Sequence, residues 1–175
     1  LPGGFRAAGV AAGIKASGRP DVALLACDAP AACAIVTTRN QIVGAPITWC
    51  RRALPAGHGT ARAMVVNAGC SNVCTGPAGL ADAREMAERV ARRLGCGPEE
   101  VLVASTGIIG EPLPMDKVRR GIDEACSALT PDGLVDAAGA ILTTDLVAKT
   151  AEAVVDLSDG RRVRLVGTAK GSGMI

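Results

Sequence analysis

ARAMVVNAGCSNVCTGPAGLADAREMAERVARRLGCGPEEVLVASTGIIG, residues 61–110, changes its hydrophobic period along its length. Ala63–Asn67 is a short apolar, β-prone run and predicts a strand. Asn67–Pro77, rich in Gly, Asn and Ser, predicts a loop. From about Gly79 to Leu94 the apolar residues Leu80, Ala83, Met86, Ala87, Val90, Ala91 and Leu94 recur at helical spacing. On the wet face, Glu85–Arg89 and Glu88–Arg92 are i,i+4 pairs in the favourable order. Gly95 and Gly97 end the helix. Pro98-Glu99-Glu100 then leads into a second strand, Val101–Ser105, followed by a loop over Thr106–Pro114.

Asp116 opens a helix with Val118, Ile122, Ala125, Cys126 and Leu129 on one face. A further helix starts near Pro131 or Asp132 and carries Leu134, Val135, Ala138, Ile141 and Leu142. Ala153–Leu157 and Val163–Thr168 flank Ser158-Asp159-Gly160, a hairpin signal. On the N-terminal side, Val22–Cys27 and Ala32–Thr37 read as two strands around a turn at Asp28-Ala29-Pro30, with Pro46–Trp49 extending the pattern. Arg51–Thr60 reads as a loop in which His58 is solvated. Strands, then strand–helix pairs, then a hairpin make an α+β fold with mixed β-sheets packed with helices. Residues 1–175 are expected to form one domain.

Composition narrows the function. The 175 residues are 49% hydrophobic with a net charge of +2, which excludes a disordered chain. Basic residues are scattered and Phe5 and Trp49 are the only aromatics, so nucleic acid is not an expected partner. No apolar run reaches membrane-spanning length, so no membrane is expected either. The seven cysteines are odd in number and dispersed. They read as free thiols in a reducing cytoplasm, and Cys70 and Cys74 lack the second pair that a zinc site needs. Leu1 is not a natural start, so further residues are expected before it.

Four loops combine glycine with Thr, Ser or Asn at element ends, where sites are commonly built. Asn67–Gly76 reads either as a capped turn or as part of a site. Ser105-Thr106-Gly107-Ile108-Ile109-Gly110 places a hydroxyl beside a sterically open N–H, a pair suited to a developing oxyanion; a plain strand-end turn is the alternative. Thr143-Thr144-Asp145 ends a helix. Thr168–Ile175 carries Lys170 among glycines in the wrong order for a phosphate loop, which favours a carboxylate partner for the lysine. No nucleophile–base pair can be assembled from these residues. Part of the site is therefore expected elsewhere.

Taken in order, Phe5–Lys15, Asn67–Gly76, Ser105–Met115 and Lys170–Ile175 resemble the motifs of the ornithine acetyltransferase (glutamate N-acetyltransferase) family. The resemblance implies a precursor that cuts itself before a threonine, with this chain as the α part ending at Ile175, just short of the cut. The threonine of the β chain from the same precursor would be the nucleophile, its α-amine the base. The acetyl group would pass from N-acetylornithine to glutamate by a ping-pong route in cytoplasmic arginine biosynthesis, without cofactor or metal. By matching position, Thr106 and Gly107 would form the oxyanion hole, and Thr143 and Lys170 would bind substrate, with Thr144 beside them. The implied assembly is an α₂β₂ heterotetramer in which the β chain completes a four-layer α/β/β/α arrangement; use of acetyl-CoA would depend on that chain. Two motifs depart from the family pattern: Ala68, Cys70, Ser71 and Val73 in the first loop, and Leu146-Val147-Ala148 after Asp145. A self-processed amidase or aminopeptidase with water as acceptor, a paralogue for another N-acyl amino acid, and a non-catalytic binding module are the alternatives.

Overall fold

A computed structural model describes residues 1–172. Its centre is a four-stranded sheet in the order β1 (Phe5–Val10), β2 (Val22–Ala34), β3 (His58–Cys70), β4 (Val101–Ile108). The first three strands are antiparallel neighbours, and β4 lies parallel to β3. Such a sheet is mixed, as expected. The parallel pair requires a crossover, supplied by α2 (Gly76–Leu94) and a short 3₁₀ turn at Pro98–Glu100.

The helix α2 buries Ala83, Met86, Ala87, Val90 and Ala91 against the sheet and ends on Gly95, whose left-handed backbone returns its N–H to the Ala91 carbonyl. It begins three residues before the expected Gly79, because Pro77 fits a first helical turn. With α1 (Ala45–Ala53) and α3 (Met115–Ser127) it covers one face, over Val22, Leu24, Val65, Val101 and Val103. The charges of α2 do not form the expected i,i+4 pairs. Arg119 of α3 holds Glu85, and Arg89 reaches Asp123, so the polar residues clamp two helices together instead.

The opposite face begins with α4 (Leu134–Ala140), which packs Ala137 and Ala140 on Ala7 and Ala23. Beyond it the sheet is open, with Leu25 and Met64 both 37% exposed. The hairpin β5 (Lys149–Asp156) and β6 (Arg162–Ala169) is a separate two-stranded sheet, exposed along the whole of β5. Val154, Val155, Leu157 and Leu165 leave its surface apolar. No helix among the described residues is long and apolar enough to cross a membrane.

Several N-terminal elements differ from expectation. Ala26 pairs with Ala63 and Ala31 with Ala61, so residues 27–30 oppose Arg62 alone in one long bulged strand, not two strands around a turn. Pro30 interrupts the ladder, and Arg62 Nε donates to the Cys27 carbonyl at 3.1 Å. Pro46–Trp49 is helical within α1, where Pro46 fits the first turn and Trp49 is buried with its indole N–H 2.9 Å from the Val101 carbonyl. His58 is exposed as expected but opens β3 opposite Ala34, not a loop. The strand β1 had no signal of its own, because FRAAGV has little β-propensity.

Candidate active site

The parallel strands β3 and β4 end side by side. Gly69 lies opposite Gly107 there, and the register slips at Cys70. Gly107 has φ +138°, and a Cβ on it would fall onto the Gly69 carbonyl carbon and the Cys70 nitrogen. Only glycine permits this approach, which leaves Thr106 at the lip of a cleft of about 680 Å³. Thr106, Gly107, Thr143, Thr144 and Lys170 all line that cleft. Thr143 and Thr144 come from the segment after α4, and Lys170 from the end of β6. Four residues proposed from the sequence for one site, up to 64 positions apart, thus meet in one place.

Lys170 Nζ donates to Thr106 Oγ1 at 3.0 Å. A hydroxyl that accepts from an ammonium keeps its own proton for a second acceptor. Behind Lys170 stands Asp145, whose side chain is 1% exposed. Lys149 Nζ and the Gly171 N–H both donate to its Oδ1 at 2.7 Å. The Lys149 ammonium first, then the Gly171 N–H, hold this carboxyl far below the ordinary carboxylate range, and the Thr143 N–H adds to them against the opposing effect of burial.

The loop between β1 and β2 forms the other wall. Asp21 is fully buried and accepts the backbone N–H groups of Ala12, Ile14 and Lys15. Lys15 Nζ donates to the carbonyls of Pro20 and Ala140, at 2.6 and 2.9 Å. Burial pushes the Lys15 ammonium below its ordinary pKa; Asp21 opposes this, while Arg19 and Lys170 push the same way. Lys15, Arg19 and Lys170 make the cleft cationic, and no acidic side chain is among its lining residues. The cleft is suited to an anionic ligand.

The Asn67–Gly76 loop contributes less than its position suggested, since of its residues only Gly69 lines the cleft. Its polar side chains bind the framework. Asn72 Nδ2 reaches the Gly79 carbonyl at 2.8 Å, Ser71 Oγ the Ile108 carbonyl at 2.8 Å, and Asn67 Nδ2 the Cys70 carbonyl at 2.8 Å. Cys70 is buried against the Glu111 carbonyl and Cys74 is exposed. Asp145 and Lys15 had no assigned role in the sequence. The one available signal for Asp145 was its place in Thr-Thr-Asp, four residues before Lys149. Gly173, Met174 and Ile175 of the Lys170–Ile175 motif lie outside the described residues.

Neither cysteine nor histidine lines the cleft. Fold and cleft define an α+β chain that offers a hydroxyl, a strand-end glycine and a fixed cation, without a paired nucleophile and base among those lining residues. A family profile described as the ArgJ family matches residues 6–175. The chain is 53% identical over 176 residues to the arginine biosynthesis bifunctional protein ArgJ of Thermus thermophilus, covering 100% of this chain and 44% of that protein. To the ArgJ 1 protein of Nostoc sp. it is 47% identical over 174 residues, covering 99% of this chain and 42% of the relative. It thus spans about two fifths of the curated relatives' length. The crystal structure of ornithine acetyltransferase complexed with ornithine from Mycobacterium tuberculosis superposes with a TM-score of 0.89 at 45% identity, covering 100% of this chain and 92% of that one. The arginine biosynthesis bifunctional protein from Bacillus halodurans gives 0.90 at 38% identity, covering 99% and 89%. The chain belongs to the ArgJ family.

Proposed function

We propose that this chain is the α part of an acetyltransferase that moves an acetyl group from N²-acetylornithine to glutamate, with its nucleophile on a β chain cut from the same precursor. The observation that carries the reading is the 3.0 Å contact of Lys170 with Thr106, in a cationic cleft whose lining residues include no histidine or cysteine. A threonine hydroxyl of the β chain attacks the acetyl carbonyl, and its own α-amine takes the proton. The tetrahedral oxyanion is held by the Thr106 hydroxyl and the Gly107 N–H. Its collapse expels the ornithine amine, which takes up the proton, and leaves an acetyl-threonine ester. The glutamate amine then attacks this ester through the same oxyanion hole, giving N-acetylglutamate and the free threonine. Lys170 and Thr143 bind the α-carboxylate that donor and acceptor share, so one cation serves both half-reactions.

Two features support a partner chain. The open sheet face and the apolar hairpin are surfaces that a second sheet would cover, giving a four-layer α/β/β/α arrangement and an α₂β₂ assembly in the cytoplasm. The solved neighbours are matched over 89 and 92% of their chains, whereas the curated relatives quoted above are matched over 42 and 44%, the difference expected where relatives are cut in two. The test is expression of the full-length gene, N-terminal sequencing of each resulting chain, and measurement of acetyl transfer from labelled N-acetylornithine. Two chains and labelled N-acetylglutamate are expected. Release of acetate with no glutamate product would make the protein an amidase; an uncut, inactive chain would make it a binding module.

A further inference from the structure

Asp145 is a buried carboxylate beside Lys170, and only one of its two oxygens is hydrogen-bonded among the described residues. Its Oδ1 receives both Lys149 Nζ and the Gly171 N–H. Its Oδ2 is buried and makes no hydrogen bond among the described residues, although the nearby Thr143 N–H also acts on the carboxyl. Facing that oxygen, at 4.0 Å, is Lys170 Nζ. A buried carboxylate oxygen without a donor is unfavourable, so its orientation toward an ammonium calls for an account.

We propose that Asp145 is a positioning residue, whose Oδ2 draws the Lys170 ammonium inward and holds it against the Thr106 hydroxyl with one N–H left for a substrate carboxylate. The inference rests on the acetyl-transfer reading above. An ammonium has three donors, tetrahedrally arranged about one nitrogen and able to rotate together. Thr106 Oγ1 takes one at 3.0 Å, and Oδ2 attracts a second from 4.0 Å. The like charge of Lys15, which also lines the cleft, acts on Lys170 and makes a counter-charge behind Lys170 more favourable. Without a counter-charge behind it, the Lys170 side chain, 26% exposed, is free to swing toward solvent and leave both Thr106 and the carboxylate. The depressed pKa of Asp145 agrees with this role, because the counter-charge then persists at every pH where the enzyme would work.

The competing explanation is that Asp145 merely straps the backbone: Lys149 Nζ also donates to the Gly171 carbonyl at 2.8 Å, so Oδ1, Lys149 and Gly171 form a closed brace. Asp145→Asn separates the two roles. The amide keeps an oxygen for Lys149 and Gly171, and presents an NH₂ donor to Lys170 in place of Oδ2. The test is a double-mutant cycle on the full-length, processed protein, combining Asp145→Asn with Lys170→Met. Its readouts are ornithine binding by calorimetry and acetyl transfer. Asp145→Asn alone should weaken ornithine and raise the donor KM about five- to thirtyfold, within the range of couplings between contacting groups. In the Lys170→Met background it should add less than about twofold. Equal losses in both backgrounds, or none in the first, would overturn the proposal. A second variant, Lys149→Met, cuts the brace while leaving Asp145 and Lys170 in place. It should keep binding within about fivefold, because Lys149 itself is 43% exposed and the Gly171 N–H still donates to Oδ1. A loss well beyond about fivefold there would also overturn it, whether or not the Asn variant folds. If ornithine binding follows the cycle but the wild type transfers no acetyl group, the positioning role stands and the acetyl-transfer reading falls.

Discussion

Replacing Lys170 by Met keeps most of the apolar stem and removes the ammonium. Two interactions go with it: the 3.0 Å hydrogen bond to Thr106 Oγ1 and the contact with Asp145 Oδ2 at 4.0 Å. A third, to the substrate carboxylate, is the one the proposed mechanism depends on. A charge-assisted hydrogen bond contributes about 1.5–3 kcal/mol. Because the side chain is 26% exposed, solvent screens part of this. The expected loss in kcat/KM is therefore roughly ten- to hundredfold, the lower half of that range coming from binding alone. The assay is steady-state transfer with donor and acceptor varied separately on correctly processed enzyme. Both half-reactions should suffer, since the proposed ping-pong route has donor and acceptor place their carboxylates at the same lysine. Wild-type KM for both substrates would refute the placement of the carboxylate at Lys170.

Thr106→Ala removes one of the two proposed oxyanion donors and should lower kcat by on the order of 10²–10³ under saturating substrates, with unfolding temperature little changed. Unchanged kcat would remove Thr106 from the chemistry. Gly107→Ala puts a Cβ onto the Gly69 and Cys70 backbone at a positive φ; it should destabilise the protein by roughly 2 kcal/mol or more, read by urea denaturation. Glu85 and Asp123 are held below their ordinary pKa by hydrogen bonds from Arg119 and Arg89. Their contribution is present above the unfolded carboxylate values and is lost as pH falls through the depressed folded ones, so α2–α3 packing should weaken in acid, not at neutral pH, in a pH series of thermal unfolding. Equal stability across that acid range would contradict it.

Long, strongly periodic segments were legible in the sequence. Met86, Ala87 and Val90 mark the buried stripe of α2 without reference to anything else, and Val101–Val103 can hardly be other than a buried strand. Short or alanine-rich segments were not. Phe5–Val10 is a strand because β2 offers it an edge, and Pro46–Trp49 is a helix because Trp49 finds the Val101 carbonyl; both outcomes are tertiary. The bulge at 27–30 looks like a turn until Arg62 is seen to occupy the space opposite. At the site, Thr106, Gly107, Thr143 and Lys170 were named from ordered motifs, and folding gathers them into one cleft. Local pattern does not reveal that Asp145 is buried behind Lys170, because burial of that carboxylate depends on a segment 26 residues away. The same holds for the wall built by Lys15 and Asp21.

The most direct test of the account is to mix the full-length, processed enzyme with N-acetylornithine, quench in acid before glutamate is added, and map the acetylated peptide by mass spectrometry. The account predicts one acetyl group, on the hydroxyl of a threonine at the N-terminus of the second chain, which disappears when glutamate is supplied. An acetyl group on a residue of this chain, or full turnover with no acetylated peptide on either chain, would contradict it.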